Sequence, residues 1–347
     1  MKAILLGDAM IGGAGFQRAW EKHMARYGSD LVVNDWEKDW GQLQYRRLEV
    51  EKRGPEIETV DETILKEGQD AQALMGLFVP VSSKVMDAMP KLRIVGVSRA
   101  GLENVNVEEA TRRGILVFNV QGRNAHAVSD FAVGMMLAEC RNIARAHFAI
   151  RNGEWRKTFT NSDVVPELHG RTVGLVGFDV KVVVYDPYTP KEAIKELGAE
   201  KVELEELLKN SDFVSVHARL TSENKGMIGE HEIGLMKPTA YFINTGRAGL
   251  VDQDALAKAL GDKKIMGAAL DVFYTEPLPA DSPFMTLDNV TLTTHIAGTT
   301  ADALSNSPFL LMEDVAKFLE EGDSRFIVNR QVLQDEGFKA WLASVRQ

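Results

Sequence analysis

Short apolar runs separated by amphipathic or charged segments recur along most of the chain. In the first third these runs are KAILLG (2–7), ALMGLFV (73–79), LRIVGV (92–97) and ILVF (115–118). A second series follows Gly170 and comprises RTVGLVG, VKVVVYD, DFVSVH, AYFINT, IMGAAL and VTLTTH. Such runs are typical of strands buried on both faces of a parallel sheet. Strands that alternate with helices predict an α/β fold made of βαβ units.

The segments between the apolar runs carry helical patterns. VMDAMPKL and VEEATRRG predict helices, and the highly charged residues 35–70 predict surface helix and loop. AHAVSDFAVGMMLAECRNI, which follows Asn124, predicts one long helix that bridges two domains. A polar and aromatic arm is expected over 145–157, and an amphipathic helix from about Ala301 to Glu321.

Length and composition narrow the function classes. A chain of 347 residues suggests two domains. A formal net charge of −10 argues against a surface that follows nucleic-acid phosphates. The single cysteine, Cys140, excludes an intramolecular disulfide and is expected to be a small core residue. We find no secretory signal and no apolar stretch long enough to span a bilayer, so we expect the cytoplasm and no membrane partner.

Motifs at the predicted strand ends come in a distinctive order. They are DFVSVH (212–217), MKPTAYFINTGRAGLVDQDALAKAL (236–260), AALDVFYTEPLP (268–279) and TLTTHIAGTT (291–300). Together they resemble the D-isomer-specific 2-hydroxyacid dehydrogenase family, which includes the phosphoglycerate dehydrogenases. The resemblance covers roughly residues 92 to 329, and the first 70 residues match only loosely. Several motifs in order are more specific than any single glycine pattern.

The resemblance implies a fold and a domain plan. The family has two Rossmann-like domains, each a doubly wound parallel sheet, with a cleft between them. We therefore expect a substrate-binding domain formed by 1–118 together with 300–347, and an NAD-binding domain over 119–299. Family members form dimers through the cofactor domain, so a homodimer is expected.

Three residues match the family's catalytic positions, namely Arg247 in NTGRAG, Glu276 in YTEPLP and His295 in TTHIAG. An arginine offers a fixed fork of donors that can grip a carboxylate. A histidine can give a proton to the carbonyl oxygen in reduction and remove it in oxidation. The glutamate would stabilise the imidazolium and select the ring nitrogen that faces the substrate. Each residue alone has a structural explanation, but the three together in this motif order favour an inherited site.

Further residues match substrate-binding positions of the family. The glycine loop VSRAGLENVN (97–106) supplies Arg99, Ala100 and Gly101, whose backbone amides would hold a carboxylate. Arg99 would add a second positive contact, although an ordinary loop charge explains it equally well. Asn124 lies in a family motif near the cleft, and helix capping alone would also explain it.

The resemblance also implies NAD as the cofactor and no metal. Six residues match cofactor positions, and they are Gly174, Gly177, Asp186, His217, Thr245 and Asp271. An acid at the end of the second strand favours NAD over NADP, because a carboxylate repels a 2′-phosphate. None of the histidines has metal-ligand spacing.

The middle of the dinucleotide-binding unit is missing from VGLVGFDVKVVVYD (173–186). Such a unit needs a G-x-G-x-x-G turn and a helix, and its acid follows the first glycine by about 20 residues. Only Phe178 and Asp179 separate the two apolar runs, and parallel strands need a crossover of about a dozen residues. Two residues permit at best an antiparallel hairpin, a topology that the family's sheet would not accept. Either the sequence skips a segment next to Phe178 that the protein contains, which we favour, or the chain truly lacks it.

These patterns predict an NAD-dependent oxidoreductase that interconverts a small D-2-hydroxy acid and its 2-oxo acid by hydride transfer. His295 would be its general acid and base. The alternative is a non-catalytic relative that keeps the fold for binding, as corepressor-like members do, and a true deletion at Phe178 would favour it. The identity of the 2-hydroxy acid does not follow from the sequence.

Overall fold

A computed structural model of the chain describes residues 1–176, 183–196 and 198–346. It divides into two compact units. Unit 1 contains Met1–Asn124 and Thr299–Gln347, and unit 2 contains Ala125–Gly298. The predicted cofactor residue Gly177 and the neighbouring Phe178 lie outside the described residues.

Strands and helices alternate along both units. The described strands are β1 (Ala3–Asp8), β2 (Leu31–Glu37), β3 (Ala73–Gly76), β4 (Ile94–Val97), β5 (Leu116–Asn119), β6 (Val173–Val176), β7 (Val183–Tyr185), β8 (Glu200–Lys201), β9 (Phe213–Val216), β10 (Tyr241–Asn244), β11 (Gly267–Leu270) and β12 (Val290–Leu292). The described helices are α1 (Gly13–His23), α2 (Trp40–Arg53), α3 (Glu62–Glu67), α4 (Ser83–Ala88), α5 (Val107–Arg112), α6 (Ala125–Cys140), α7 (Ile143–Arg151), α8 (Lys191–Glu196), α9 (Leu204–Asn210), α10 (Glu230–Leu235), α11 (Gln253–Gly261), α12 (Ala301–Glu321) and α13 (Glu336–Arg346).

Unit 1 is built on a parallel sheet with strand order β2-β1-β3-β4-β5. All residues of β1, β3, β4 and β5 are buried, because helices cover both faces of the sheet. The long helix α12 returns from the end of the sequence and packs against α1, and it contributes Leu311 and Phe318 to the core. Strand β2, LVVNDWE, was missed in the sequence, since it lies at the sheet edge and its polar residues are partly exposed.

Unit 2 contains a parallel sheet with strand order β12-β11-β10-β9-β6-β7-β8. The chain starts in the middle at β6, moves to one edge, and then returns through β9 to build the other half. This reversal is the doubly wound arrangement, in which ligands bind outside the carboxyl ends of the strands at the switch point. Both units therefore confirm the predicted fold class of two doubly wound parallel sheets.

Strands β6 and β7 pair in parallel, as the predicted doubly wound sheet requires. Gly174 lies opposite Val183 and Leu175 opposite Val184. The prediction placed the strand ends too close together: β6 ends at Val176 and β7 begins at Val183, which leaves six residues between them. Residues 177–182 themselves lie outside the described residues.

The long helix predicted after Asn124 is shorter than expected. Helix α6 ends at Cys140, whose side chain is fully buried as expected. Asn142 then adopts a left-handed conformation with φ of 58°, and its side-chain amide donates to the Asn161 side chain at 2.7 Å. Because this residue interrupts the helix, part of the predicted arm forms the separate helix α7.

Candidate active site

His295 and Glu276 form a pair at the carboxyl ends of two adjacent strands. His295 follows β12 and Glu276 follows β11, and these strands are paired in parallel. The His295 Nδ1 atom lies 2.8 Å from Glu276 Oε2. The two side chains are 49% and 34% exposed, so a substrate can reach the ring. The pairing uses Nδ1 and leaves Nε2 to exchange a proton with a ligand.

The turn that carries His295 is held by Asp271. His295 itself has φ of 57°, a left-handed conformation that is uncommon outside glycine. The fully buried Asp271 carboxylate accepts the amides of Ile296 at 3.0 Å and Ala297 at 2.9 Å. It also accepts the Thr293 hydroxyl at 2.6 Å. Asp271, matched in the sequence to a cofactor position, therefore fixes the backbone on both sides of the histidine.

Glu276 is positioned by the loop after β11. The amide of Phe273 donates to Glu276 Oε1 at 3.0 Å, which leaves Oε2 for the histidine. The buried side chain of Gln253 donates to the Val272 carbonyl and accepts the Tyr274 amide, both at 3.0 Å. Gln253 was not found in the sequence analysis, because no motif marks a residue that acts on the backbone of a distant loop.

Arg247 follows β10 and is exposed. Its Nη1 donates to the Gly246 carbonyl at 2.9 Å, and it makes no ion pair within the described chain. The Asn244 side chain accepts the Gly246 amide at 3.0 Å and donates to the Arg247 carbonyl at 3.2 Å, so the backbone of this loop is braced. The remaining guanidinium donors are available for a carboxylate. No hydrogen bond or ion pair between described residues joins Arg247 to His295.

The predicted substrate loop lies in unit 1, at the carboxyl end of β4. Arg99 Nη2 is 3.2 Å from Glu51 Oε1 and also 3.2 Å from Glu103 Oε2. The amides of Ala100 and Gly101 donate to no other described residue. The three predicted loop residues are consecutive in this loop, and Asn124 lies at the end of unit 1 directly before α6.

His217 follows β9 and is largely enclosed. Its Nε2 atom lies 2.9 Å from the Ser215 hydroxyl. Burial lowers the pKa of His217 to about 4, because the charged ring would lose hydration. The imidazole is therefore neutral at pH 7, which suits a contact with an uncharged ring or amide better than a contact with a phosphate.

Two of the predicted cofactor residues, Gly174 in β6 and Asp186 after β7, have local structural roles. A Cβ on Gly174 would overlap the side chains of Ser211 and Leu207, so this glycine allows α9 to pack against β6. The Asp186 carboxylate accepts the Tyr188 amide at 2.8 Å and the Thr189 amide at 3.2 Å. It also accepts the Thr189 hydroxyl at 2.8 Å, and thus closes a turn after β7.

A dinucleotide would fit these residues only in part. Thr245, at the end of β10, has a buried hydroxyl without a partner among the described residues, and the neutral His217 follows the adjacent strand β9. These features fit the nicotinamide end of the cofactor. The pyrophosphate end does not fit, because the six residues in the sequence between β6 and β7 lack the second and third glycines of the fingerprint.

Two other kinds of site were sought. Across the described ranges, no group of three or more histidine, cysteine, aspartate or glutamate side chains could hold a metal ion. None of the helices in the same ranges is both long enough and apolar enough to cross a membrane.

Known proteins resemble this chain along most of its length. The sequence model for the D-isomer specific 2-hydroxyacid dehydrogenase, NAD binding domain, matches residues 133–297. Glyoxylate reductase from Korarchaeum cryptofilum is 37% identical over 287 residues, which covers 78% of this chain and 86% of that protein. The chain belongs to the D-isomer specific 2-hydroxyacid dehydrogenase family. This confirms the resemblance found in the strand-end motifs.

A second relative is D-3-phosphoglycerate dehydrogenase from Methanocaldococcus jannaschii. It is 36% identical over 292 residues, covering 79% of this chain but 55% of that protein, so this chain spans about half of that relative. In both alignments the aligned length exceeds the part of this 347-residue chain that is covered. The relatives therefore carry residues inside the matched region that this chain lacks.

The fold also matches solved structures. D-2-hydroxyisocaproate dehydrogenase superposes with a TM-score of 0.72 at 23% identity, covering 95% of this chain and 100% of that chain. At this identity the match supports the fold and leaves the substrate open.

Proposed function

We propose that this chain interconverts a small D-2-hydroxy acid and its 2-oxo acid, with His295 as the general acid and base. The observation that supports this most directly is the 2.8 Å contact between His295 Nδ1 and Glu276 Oε2. The pair lies at the carboxyl end of a doubly wound sheet, where such sites are found. Family membership supports the same reaction class.

The proton step uses the free ring nitrogen. In reduction, protonated His295 donates from Nε2 to the carbonyl oxygen of the 2-oxo acid, and in oxidation neutral Nε2 takes the hydroxyl proton. Glu276 accepts from Nδ1 in both directions, so the ring keeps its orientation and its charge is balanced. When bound, the nicotinamide supplies or takes the hydride.

Carboxylate binding is assigned to two sets of donors. Arg247 offers guanidinium donors that no described acid occupies. In unit 1, the backbone amides of Ala100 and Gly101, which donate to no described residue, are a second set of donors for an anionic group of the substrate. Asn124 would add a polar contact. Charge-assisted hydrogen bonds of this kind are about twice as strong as neutral ones, which favours carboxylic acids over neutral carbonyl compounds.

We also propose NAD rather than NADP as the cofactor. Burial would raise the pKa of Asp186, but hydrogen bonds from Thr189 and Tyr188 more than offset this and hold the pKa below its ordinary value. The residue is therefore ionised at neutral pH and would repel a 2′-phosphate. A homodimer located in the cytoplasm completes the proposal, which rests here on the family resemblance and on the single buried cysteine.

One observation favours a second function. The sequence between β6 and β7 has six residues and lacks two glycines of the dinucleotide fingerprint, so a non-catalytic relative that binds small acids without turnover is the alternative. This alternative predicts that 2-oxo acids bind while NADH neither binds nor is oxidised.

The test is NADH oxidation by the full chain with glyoxylate, hydroxypyruvate, phosphohydroxypyruvate and pyruvate. NADH is used at millimolar concentration, because the sequence after β6 lacks two glycines of the fingerprint that would bind the pyrophosphate of the cofactor, and a low affinity is expected. Turnover that disappears in His295→Ala supports the enzyme. Absence of both turnover and NADH binding with every acid would reject it in favour of the binding protein.

A further inference from the structure

Three arginines of unit 1 flank the loop that follows β4. Strand β5 pairs with β4, and the Val120 amide just after β5 donates to the Arg99 carbonyl at 3.1 Å, which brings the segment before Arg123 beside this loop. Arg47 comes from α2, Arg99 follows β4, and Arg123 follows β5. The guanidinium carbons of Arg47 and Arg99 lie over the buried ring of Phe78, at 5.5 Å and 4.6 Å from its centroid. Gly122 has φ of 72°, which turns the chain directly before Arg123. The sequence analysis missed Arg47 and Arg123, because neither belongs to a strand-end motif.

Each of these arginines has a buried donor that makes no hydrogen bond within the described residues, although Arg47 Nε lies in an ion pair 3.8 Å from Glu51 Oε1. Arg47 Nε, Arg99 Nη1 and Arg123 Nη1 have no hydrogen-bond partner among the described residues. A buried donor without a partner costs about 1–3 kcal/mol, and more when it is charged. Three such donors on neighbouring cations therefore lower the stability of the folded chain unless a hydrogen-bond acceptor binds beside them.

The carboxylates nearby balance only part of the charge. Glu51 lies 3.2 Å from Arg99 and 3.8 Å from Arg47, and Glu103 lies 3.2 Å from Arg99. Arg123 makes no ion pair within the described residues. Three guanidinium groups against two carboxylates leave one positive charge in excess.

The arginines also disfavour one another. Burial lowers the pKa of Arg123, and the charge of Arg99 lowers it further. Burial likewise lowers the pKa of Arg99, and Arg47 adds to the effect while Glu103 and Glu51 oppose it. An anion bound beside these guanidinium groups would offset this repulsion.

We propose that Arg47, Arg99 and Arg123 form a binding site for a second, singly charged anionic group of the substrate, a carboxylate. The excess of one positive charge matches a carboxylate rather than a doubly charged phosphate. The substrate class is therefore a dicarboxylic 2-oxo or 2-hydroxy acid. This inference rests on the proposed function for the reaction, but binding itself needs neither turnover nor cofactor.

The first experiment compares two acids of equal chain length by isothermal titration calorimetry on the full chain. 2-Oxoglutarate carries a second carboxylate, and 2-oxovalerate ends in a methyl group. We expect 2-oxoglutarate to bind about tenfold to a hundredfold more tightly, the range for hydrogen bonds to charged groups. Equal affinity of the two acids, or no detectable binding of either, would overturn the proposal.

Arginine substitutions test which residue causes the preference for 2-oxoglutarate over 2-oxovalerate. In Arg123→Gln the ratio of the two affinities should fall to near one, because the unpaired cation is lost. Arg112→Gln is the matched control: Arg112 lies on α5 in the same unit, is 69% exposed and pairs with Glu109. It removes the same charge and should keep the ratio. If Arg112→Gln reduced the ratio as much as Arg123→Gln, a general charge effect would replace the site.

Stability separates a binding role from a structural one. Without ligand, Arg123→Gln should raise the melting temperature, because it removes a buried and repelled charge. A lower melting temperature with an unchanged affinity ratio would show that Arg123 is structural and would overturn the proposal.

A phosphorylated acid tests whether the site prefers a singly charged group. The preference for phosphohydroxypyruvate over hydroxypyruvate should be smaller than that for 2-oxoglutarate over 2-oxovalerate. A larger preference for the phosphorylated acid would overturn the carboxylate assignment. If the acids bind as expected but no reduction occurs at any NADH concentration, the proposed function fails while this site stands.

Discussion

The Oδ2 atom of Asp271 accepts the amide of Ala297 at 2.9 Å, two residues beyond His295. Oδ1 of the same carboxylate accepts the amide of Ile296 and the Thr293 hydroxyl. One buried acid therefore fixes the turn in which the histidine has a left-handed backbone. A residue that resembles a cofactor ligand in the sequence acts here as a positioning residue for the proton donor.

Asp271→Asn should impair the site through this turn. The amide nitrogen of asparagine cannot accept a hydrogen bond, so at least one of the three donors loses its partner and the free energy of unfolding falls by about 1–3 kcal/mol. We expect kcat to fall more than tenfold while the Kd for the 2-oxo acid changes little. Chemical denaturation and steady-state kinetics measure both effects. Normal kcat in a destabilised variant would contradict the positioning role.

Glu276→Gln tests whether the negative charge of Glu276 supports the protonated ring of His295. Glutamine keeps the size of the side chain and can still contact His295 Nδ1, but it cannot balance the charge of the imidazolium. We expect kcat for reduction to fall about tenfold to a hundredfold, within the range attributed to general acid–base catalysis. KM for the 2-oxo acid should change less, because Glu276 does not hold the carboxylate. An unchanged kcat would show that the pair is not used.

His217 should make stability depend on pH. Its pKa is about 4 in the folded chain, and the ordinary value near 6.5 applies after unfolding. Between about pH 6.5 and pH 4, His217 is protonated in the unfolded chain but neutral in the folded chain. The free energy of unfolding therefore falls as the pH drops toward about 4 and then levels off. In His217→Gln this part of the slope should disappear.

The control for that measurement is His231→Gln, which removes an exposed histidine from α10. Urea denaturation between pH 4 and pH 7 gives the slope for each chain. Identical slopes in the wild type and in His217→Gln would show that His217 does not titrate as described.

Two glycine substitutions in unit 2 should act in opposite directions. In Gly267→Ala the new methyl group would overlap the buried Glu139 carboxylate, so we expect a loss of about 1–3 kcal/mol. Gly134 lies in α6 with nothing within 4 Å of its added Cβ, so Gly134→Ala should stabilise the chain by about 0.5–1 kcal/mol. Denaturation midpoints measure both. Equal effects would mean that Gly267 is not tightly packed.

Much of the fold followed from the sequence because buried parallel strands appear as continuous apolar runs. β1, β4 and β10 lie within the runs KAILLG, LRIVGV and AYFINT. β2 was missed because an edge strand with mixed polarity lacks that signal. The helix predicted after Asn124 was too long, because a single left-handed Asn142 leaves no trace in the hydrophobic pattern.

The candidate site was predictable to the extent that its residues lie at strand ends. Glu276 and His295 belong to motifs, and the structure places their side chains in contact. Arg123 became visible only through burial and the absence of a described partner. Gln253 became visible only through its hydrogen bonds to the loop before Glu276. Such properties depend on which elements pack together, and a local pattern does not carry them.

The most direct test of the account is the proton role of His295. Reduction of a 2-oxo acid is measured with the full chain at millimolar NADH, first in the wild type and then in His295→Ala. The account predicts turnover in the wild type and a fall in kcat of about a hundredfold to ten-thousandfold in the variant, with the variant still folded. Turnover that survives in His295→Ala, or a wild type that binds NADH and the acid without reducing it, would contradict the central claim.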